Sequence, residues 1–414
     1  MKGWKQWGLA PVALAVLIST APLAAEQPAL SDRAYRAVNK AQELITEKKY
    51  GEANAKLQEA LSGAGERIYD KGVILQTLGF VAAQQEKYGQ ATKYFAAAIA
   101  TGGLPAPVAQ QVRYNLAQLY MAEGNFQASV KTMKEWFANL GKDEKPTPHA
   151  YITLANAHVQ LKQYKEAIPA ADQAIRLSGA KAPESWYLLK MGAHYELKQY
   201  KQATEVLTAL VGMFPEKKKY WMQLSAMNQQ AGNDTKALAA LESAYKLGML
   251  TESAELLRLC NYLAFNGIPH RAARVMEKGM KDGAIEQSAT NLRTLANFWH
   301  QAKEINPAID TLMASYRKAP SGELQLKMAR MMVQAKRYGD LVTLAGKPAP
   351  GANGEQRAEL RFLSGVALFE QDKPKEALAA FSQAAQNGVM SGRATPWITF
   401  LKEQNSELQE TAAQ

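Results

Sequence analysis

Few side chains in this chain could do chemistry, and they form no recognisable catalytic group. The sequence has five histidines and one cysteine. It has no Cys or His pair with metal-ligand spacing, no Gly-rich phosphate loop after a strand, and no convergent acid, base and nucleophile. The sequence therefore predicts a protein that is not an enzyme and that uses no cofactor or metal.

His158 and His194 come closest to a chemical signal, because they stand at equivalent places in successive copies of a repeated pattern. They could form a metal or proton site between copies, or they could be two packing residues. Equivalent residues of stacked helices lie ~10 Å apart, and ligands of one metal each lie within ~2 Å of it. The spacing therefore favours packing. Cys260 is likewise interpreted as a small buried side chain.

The densest run of charge is Glu216 to Trp221, which contains three consecutive lysines. A solvated turn is the favoured interpretation, and a docking site for an acidic partner is the alternative. Elsewhere, lysines alternate with Glu and Gln, which is typical of solvated helix faces. Nucleic acid is therefore not an expected partner.

The elements that position these residues repeat along the chain. An aromatic residue is followed three residues later by Ala at Tyr50, Tyr88, Tyr164 and Tyr200. A period of roughly 34 to 38 residues predicts a solenoid of helical pairs. In each pair, the second helix is expected to place a small residue where the two helices cross. Eight alanines fit that place: Ala53, Ala91, Ala167, Ala203, Ala237, Ala272, Ala308 and Ala377.

This spacing resembles the tetratricopeptide repeat. Trp221-Met222-Gln223-Leu224-Ser225 and Ala237-x-x-x-Leu241-x-x-Ala244 match its pattern, and Pro215 and Pro320 match its closing proline. The resemblance implies an all-α, right-handed superhelical solenoid of about ten helical hairpins with a short C-terminal capping helix. The hairpins are expected to begin near residues 34, 72, 110, 148, 184, 218, 253, 289, 322 and 358.

Three units depart from the pattern, and the departures suggest domain limits. Ser129 and Leu341 replace the crossing Ala, and Ser364 replaces a Leu. A Gly/Pro-rich segment shortens the second helix of the unit at 322 and is a candidate hinge. We expect the solenoid over 26–345 (about nine units), this linker over 346–357, the last unit and capping helix over 358–404, and a polar tail over 405–414.

The first 25 residues are predicted to be a signal peptide. Lys2 and Lys5 precede an apolar run from Leu9 to Leu17, and small residues end at Ala25. An uncleaved membrane anchor is the alternative, although the run is shorter than the ~20 residues that span a bilayer. Loss of the two lysines would lower the net charge from +11 to +9. The mature chain is therefore expected to be exported and without a membrane span.

The first helices of such a solenoid line its inner wall, and polar residues on their exposed stripe could bind a partner. Asn suits the backbone of an extended peptide, and Arg can bind a carboxylate through two hydrogen bonds. The alternative is that any water-facing stripe is polar. The candidate groove residues are Asn156, Lys219, Arg258, Asn261, Arg293, Asn297 and His300.

Two stretches, Phe214 to Ser225 and Gly267 to Met280, look like periplasmic tetratricopeptide proteins that accompany the TonB–ExbB–ExbD system of Gram-negative bacteria. That resemblance implies a periplasmic, non-catalytic adaptor for energy-transducing uptake, with TonB, ExbB or ExbD as partners. One alternative is a scaffold for another envelope assembly, such as polysaccharide export, pilus or outer-membrane protein assembly. The other is a binding protein for a small molecule or cell-wall fragment.

Overall fold

The fold was analysed in a computed structural model that describes residues 29–142 and 144–412. The predicted signal peptide lies outside the described residues. Within them, the regular structure consists of 21 α-helices and one 3-10 turn at Gly179–Lys181, with no strand. The all-α prediction is confirmed.

The helices follow one another with short connections. Their bounds in chain order are α1 Asp32–Thr46, α2 Tyr50–Ser62, α3 Ile68–Gln84, α4 Tyr88–Ala100, α5 Ala106–Glu123, α6 Phe126–Ala138, α7 Pro148–Gln160, α8 Tyr164–Ser178, α9 Glu184–Glu196, α10 Tyr200–Met213, α11 Lys218–Gln230, α12 Asp234–Lys246, α13 Ser253–Phe265, α14 Pro269–Lys281, α15 Ala289–Gln301, α16 Ile305–Lys318, α17 Gly322–Gln334, α18 Tyr338–Ala345, α19 Gly354–Phe369, α20 Pro374–Ala385 and α21 Gly388–Ala412.

Helices α1 to α20 form ten consecutive pairs, each joined by a turn of two to four residues. The repeated aromatic residue begins the second helix in many pairs, as Tyr50, Tyr88, Tyr164 and Tyr200 do. Six pairs begin where the sequence pattern predicts. Helices α1, α3, α5 and α19 begin two to four residues earlier than predicted, because their first turns precede the repeated motif.

Small residues hold the two helices of a pair close together, as predicted. All eight crossing alanines are fully buried. Gly79 shows how tight the crossing is, because a Cβ atom there would lie 2.8 Å from the ring of Phe95. Gly365 and Phe381 repeat the same arrangement near the other end of the chain. At Ser129, where the pattern lacks Ala, the buried hydroxyl donates to the Ala117 carbonyl at 2.8 Å.

The turn inside each pair has one residue with a left-handed backbone, immediately before the residue that caps the second helix. Glycine occupies this place in three turns, where it avoids the steric penalty on φ > 0. In the other turns, a residue other than glycine, usually lysine, has this left-handed conformation. The ten residues are Lys48, Glu86, Gly124, Lys162, Lys198, Gly232, Gly267, Lys303, Lys336 and Asp372.

The described chain divides into two compact units, the first ending at Tyr220 and the second beginning at Trp221. In the first unit, the apolar core consists of several clusters, each made by neighbouring helices, and partly buried residues such as Leu75, Tyr94 and Leu154 contact more than one cluster. In the second unit, one apolar cluster runs from Leu238 to Leu401. In the described part of the chain, no helix has both the length and the apolar composition needed to cross a bilayer.

The Gly/Pro-rich segment follows α18, which has only eight residues, as the predicted shortening requires. The buried side chain of Gln325 holds this segment in place. Its amide donates to the carbonyls of Leu344 and Lys347, and its oxygen accepts from the Ala349 amide, each at 2.8 Å. Helix α19 begins at Gly354, so part of the predicted 346–357 linker is helical.

The last helix is longer than the predicted cap. Helix α21 begins at Gly388, has 25 residues, includes Pro396 and extends to Ala412, inside the predicted polar tail. Its Trp397 stacks on Phe381 with ring centroids 5.3 Å apart. The helix therefore covers the last hairpin, which is the function expected of a cap.

Candidate interaction surface

Five of the predicted groove residues lie in the second unit, on the first helices of two successive pairs. Arg258 and Asn261 are one turn apart on α13, and Arg293, Asn297 and His300 follow one another on α15. Both helices pack against α14. Arg258 is half-buried and the other four residues are exposed.

Direct side-chain contacts join this face to the next helices. Lys327 on α17 donates to the Asn297 side-chain oxygen at 2.9 Å. One turn further, Arg330 binds both oxygens of Glu359 on α19, at 2.9 and 2.8 Å. Helices α15, α17 and α19 are therefore linked by a row of polar side chains, which are Asn297, Lys327, Arg330 and Glu359.

The charge on this face is unevenly neutralised. Arg330 is paired with Glu359, whereas Arg258, Arg293 and Lys327 form no ion pair with any carboxylate among the described residues. The guanidinium of Arg258 lies 5.8 Å from the centre of the Tyr262 ring. Among the described residues, the Arg293 side chain donates one hydrogen bond, to the Ala289 carbonyl of its own helix at 3.4 Å. These three cations thus have no carboxylate partner among the described residues and are available to bind an external one, Lys327 while it also contacts Asn297.

We call this surface the α13–α17 face and define it by Arg258, Asn261, Arg293, Asn297, His300, Lys327 and Arg330. The sequence analysis did not select Lys327 and Arg330. They occupy the same helical positions in α17 that Arg258 and Asn261 occupy in α13. The helical-wheel pattern could have found them, had it been continued into the unit with the shortened second helix.

The other two predicted groove residues, Asn156 and Lys219, lie in the first unit. Asn156 is half-buried on α7. Lys219 binds the Glu184 carboxylate at 3.0 Å and lies 4.6 Å from the Tyr220 ring centre. Because its charge is already paired, Lys219 is not part of a free cationic surface.

Glu184, at the start of α9, organises the lysine-rich turn. It accepts hydrogen bonds from Lys217, Lys219 and Tyr220. Burial alone would raise the pKa of Glu184, but these hydrogen bonds and the lysine charges lower it to about 2. Burial, together with the bond to Glu184, raises the pKa of Tyr220. The charge run is therefore a structural junction within the first unit.

The two regularly placed histidines are also structural. His158 is buried, and its Nδ1 lies 2.7 Å from the Gln163 side-chain oxygen. His194 repeats this contact with Gln199, at 2.8 Å. Each glutamine precedes the second helix of the same pair, so the contact braces the turn. The packing interpretation is supported, and the described residues contain no His, Cys, Asp and Glu group that could hold a metal.

Cys260 is fully buried in α13, and burial raises the pKa of its thiol to about 12. The thiol is therefore protonated and inert at neutral pH. It packs in the apolar core of the second unit, as the sequence analysis predicted.

Comparison with known families finds the repeat that the geometry indicates. Tetratricopeptide-repeat family patterns match residues 77–142 and 148–181. The chain therefore contains tetratricopeptide repeats, a helical pair typical of protein-interaction scaffolds. No curated protein matches the chain in sequence.

Several solved structures are similar at low sequence identity. A tetratricopeptide repeat protein from Parabacteroides merdae is 12% identical, with a TM-score of 0.38, over 73% of this chain and 100% of that one. YrrB, described as a tetratricopeptide protein with an unusual peptide-binding site, is 13% identical, with a TM-score of 0.36, over 46% and 91%. MamA from AMB-1 is 17% identical, with a TM-score of 0.33, over 43% and 98%.

Proposed function

We propose that this protein is a non-catalytic adaptor whose α13–α17 face binds an extended segment of a partner protein. The observation that carries the proposal is the set of unpaired cations, Arg258, Arg293 and Lys327, beside the amides of Asn261 and Asn297. Arg and Lys would bind carboxylates of the partner, and the Asn261 amide would bind its backbone. The Asn297 oxygen already accepts from Lys327, so Asn297 would donate to the partner through its amide nitrogen.

The face is also suited to a partner with acidic character. Glu359 already accepts both hydrogen bonds of Arg330, so it does not compete for the other cations. Glu323 lies one turn before Lys327, at the far end of α17 from Arg330. A bound carboxylate between Arg293 and Lys327 would thus meet more positive than negative charge.

The proposal places the adaptor in the periplasm, in a TonB-type energy-transducing uptake system. Two observations support this placement. The first 25 residues have the order of a signal peptide, and the stretches Phe214 to Ser225 and Gly267 to Met280 resemble periplasmic proteins that accompany TonB, ExbB and ExbD. The partner on the α13–α17 face would then be one of these three proteins.

The test is chemical crosslinking in intact cells, followed by purification of the protein and identification of its attached partners. The parent would be compared with a triple variant, Asn261→Ala, Arg293→Ala and Asn297→Ala. A matched control would change three exposed residues of second helices in the same unit, Lys236→Ala, Lys246→Ala and Arg317→Ala. Circular dichroism would verify that both variants are folded.

We expect TonB, ExbB or ExbD to be recovered crosslinked to the parent and to the control, and not to the triple variant. A different envelope complex, lost in the same variant, would retain the adaptor and remove the TonB assignment. Equal recovery of the partner with the parent and the triple variant would rule out the α13–α17 face as the binding site. Thermal stabilisation by a cell-wall fragment, with no protein recovered, would favour a small-molecule binding protein.

A further inference from the structure

One large apolar side chain stands out on the second unit. Phe265, the last residue of α13, is 75% exposed, although phenylalanine is usually buried. Ile268, in the turn that follows, is 40% exposed. The pair forms an apolar projection at the end of α13.

This projection is continuous with the α13–α17 face. Arg258, Asn261 and Phe265 are separated by three and four residues, so they lie along one stripe of α13. The stripe therefore runs from a cation, past an amide, to an exposed aromatic ring. Neighbouring stripes end in polar residues instead, with His300 and Gln301 on α15 and Gln334 on α17.

We infer that Phe265 and Ile268 form an apolar subsite, so that the partner segment carries a carboxylate and a large apolar side chain about three residues apart. The inference rests on the proposed function, because it uses the same face. Phe265 is seven positions after Arg258 on α13, which corresponds to ~10 Å along the helix axis. An extended segment covers ~3.3 Å per residue, so three residues span it.

The chemistry of the subsite distinguishes it from a purely electrostatic surface. A carboxylate on Arg258 would fix one end of the segment, and the Asn261 amide would contact its backbone between the two anchors. Burial of an apolar side chain against Phe265 would contribute affinity that salt does not screen. The face therefore selects segments by the spacing of an acidic and an apolar residue.

The test is selection of a displayed library of random 12-residue peptides on the purified protein. It would be run in parallel on Phe265→Ala, on Arg258→Ala, on Arg293→Ala and on a control, Leu247→Ala, which removes an exposed apolar side chain from the end of α12. Circular dichroism would establish that each variant is folded. Affinities of the enriched peptides would then be measured by fluorescence polarisation at low and high salt.

We expect the parent and Leu247→Ala to enrich peptides with an acidic residue and an apolar residue three positions apart. Phe265→Ala should retain the acidic preference, lose the apolar one and weaken binding of the parent's peptides about tenfold, or ~1.4 kcal/mol. If the peptides enriched on the parent share an acidic residue but no apolar residue, this inference would be overturned and the proposed function would stand. Unchanged binding to Arg258→Ala would also overturn this inference, because the spacing is measured from that residue. Unchanged binding to both Arg258→Ala and Arg293→Ala, or no enrichment at all, would overturn the proposed function as well.

Discussion

At the scale of single residues, the contacts inside the first unit separate structural charge from charge that is free to bind. Glu184 takes up both Lys217 and Lys219, so the most basic run of the sequence stabilises the fold. Arg258, Arg293 and Lys327 come from less conspicuous sequence and yet form no ion pair among the described residues. The density of charge in the sequence therefore did not identify the cations that lack a carboxylate partner. One partly buried carboxylate, Glu184, is enough to pair with two lysines of the densest run.

The substitution Glu184→Gln should lower the free energy of unfolding at pH 7 by about 1 kcal/mol, a value reduced by partial exposure of the carboxylate. The folded pKa of Glu184 is lowered to about 2. Its stabilising effect is thus complete above the unfolded pKa of about 4.3 and is lost as the pH falls toward 2. Urea unfolding of the parent and the variant at several pH values measures this difference.

Glu216→Gln is the matched control for this prediction, because Glu216 is an exposed acid in the same turn. It should change stability by less than ~0.5 kcal/mol at any of these pH values. Identical stability of Glu184→Gln and the parent at pH 7 would show that the carboxylate does not anchor the turn.

At the scale of elements, the helical pair is built from two repeated devices: a left-handed turn residue and a tight crossing. The sequence pattern predicted the crossing, because Ala and Leu-plus-small pairs recur at fixed spacing. It did not predict the turns, because lysine, glutamate and aspartate replace glycine in seven of the ten. A backbone hydrogen bond across the turn requires φ > 0 there despite its local cost, as where the Gln199 amide donates to the His194 carbonyl at 2.9 Å around Lys198.

Replacing such a turn residue with glycine should stabilise the protein. Lys198 has φ 57°, and its strain disappears in Lys198→Gly, so we expect a gain of about 0.5–1 kcal/mol. Glu205→Gly, at an exposed interior position of α10, should instead cost about 1 kcal/mol. Denaturant unfolding of both variants gives the comparison, and a loss of stability in Lys198→Gly would contradict the left-handed turn.

The tight crossing predicts that one added methyl group is costly. Gly79→Ala would place a Cβ 2.8 Å from the Phe95 ring and should destabilise the first unit by about 1–3 kcal/mol. Gly51→Ala, in a helix with open space around the new atom, should be neutral or stabilising by up to ~1 kcal/mol. Thermal unfolding measures both, and equal effects would mean that the crossing has room to relax.

The segment between α18 and α19 depends on one side chain. Gln325→Ala removes three hydrogen bonds and should cost about 1–3 kcal/mol, because backbone groups near Ala349 lose their partner. Limited proteolysis should then cut within residues 346–353 faster than in the parent. Gln334→Ala, at the exposed end of the same helix, is the control and should leave the cleavage rate unchanged.

At the scale of the whole molecule, contacts between helices follow chain order within each unit, with each helix packing mainly on its nearest neighbours in sequence. That locality explains why a short repeated motif was enough to predict an all-α fold and its helical pairs. It also explains the errors. The early starts of α1, α3, α5 and α19 and the long α21 depend on residues outside the motif, where packing decides the helix ends.

The candidate surface was predicted less completely than the fold. A helical wheel predicts which face of a helix a residue occupies, but it does not predict whether the side chain forms an ion pair. Asn261, Arg293, Asn297 and His300 were placed on exposed helix faces as expected, whereas Lys219 proved to be paired with Glu184. Lys327 and Arg330 could have been found by continuing the wheel into α17, whereas the exposure of Phe265 and the pairing of each cation could be read only from the structure.

The most direct test of the α13–α17 face is site-specific photo-crosslinking in cells. A photoreactive amino acid would replace Asn261 in one strain and Lys236, an exposed residue of the second helix α12, in another. We predict a discrete crosslinked protein from position 261 and none from position 236. A crosslink from position 236 alone, or no crosslink from position 261, would contradict partner binding on this face.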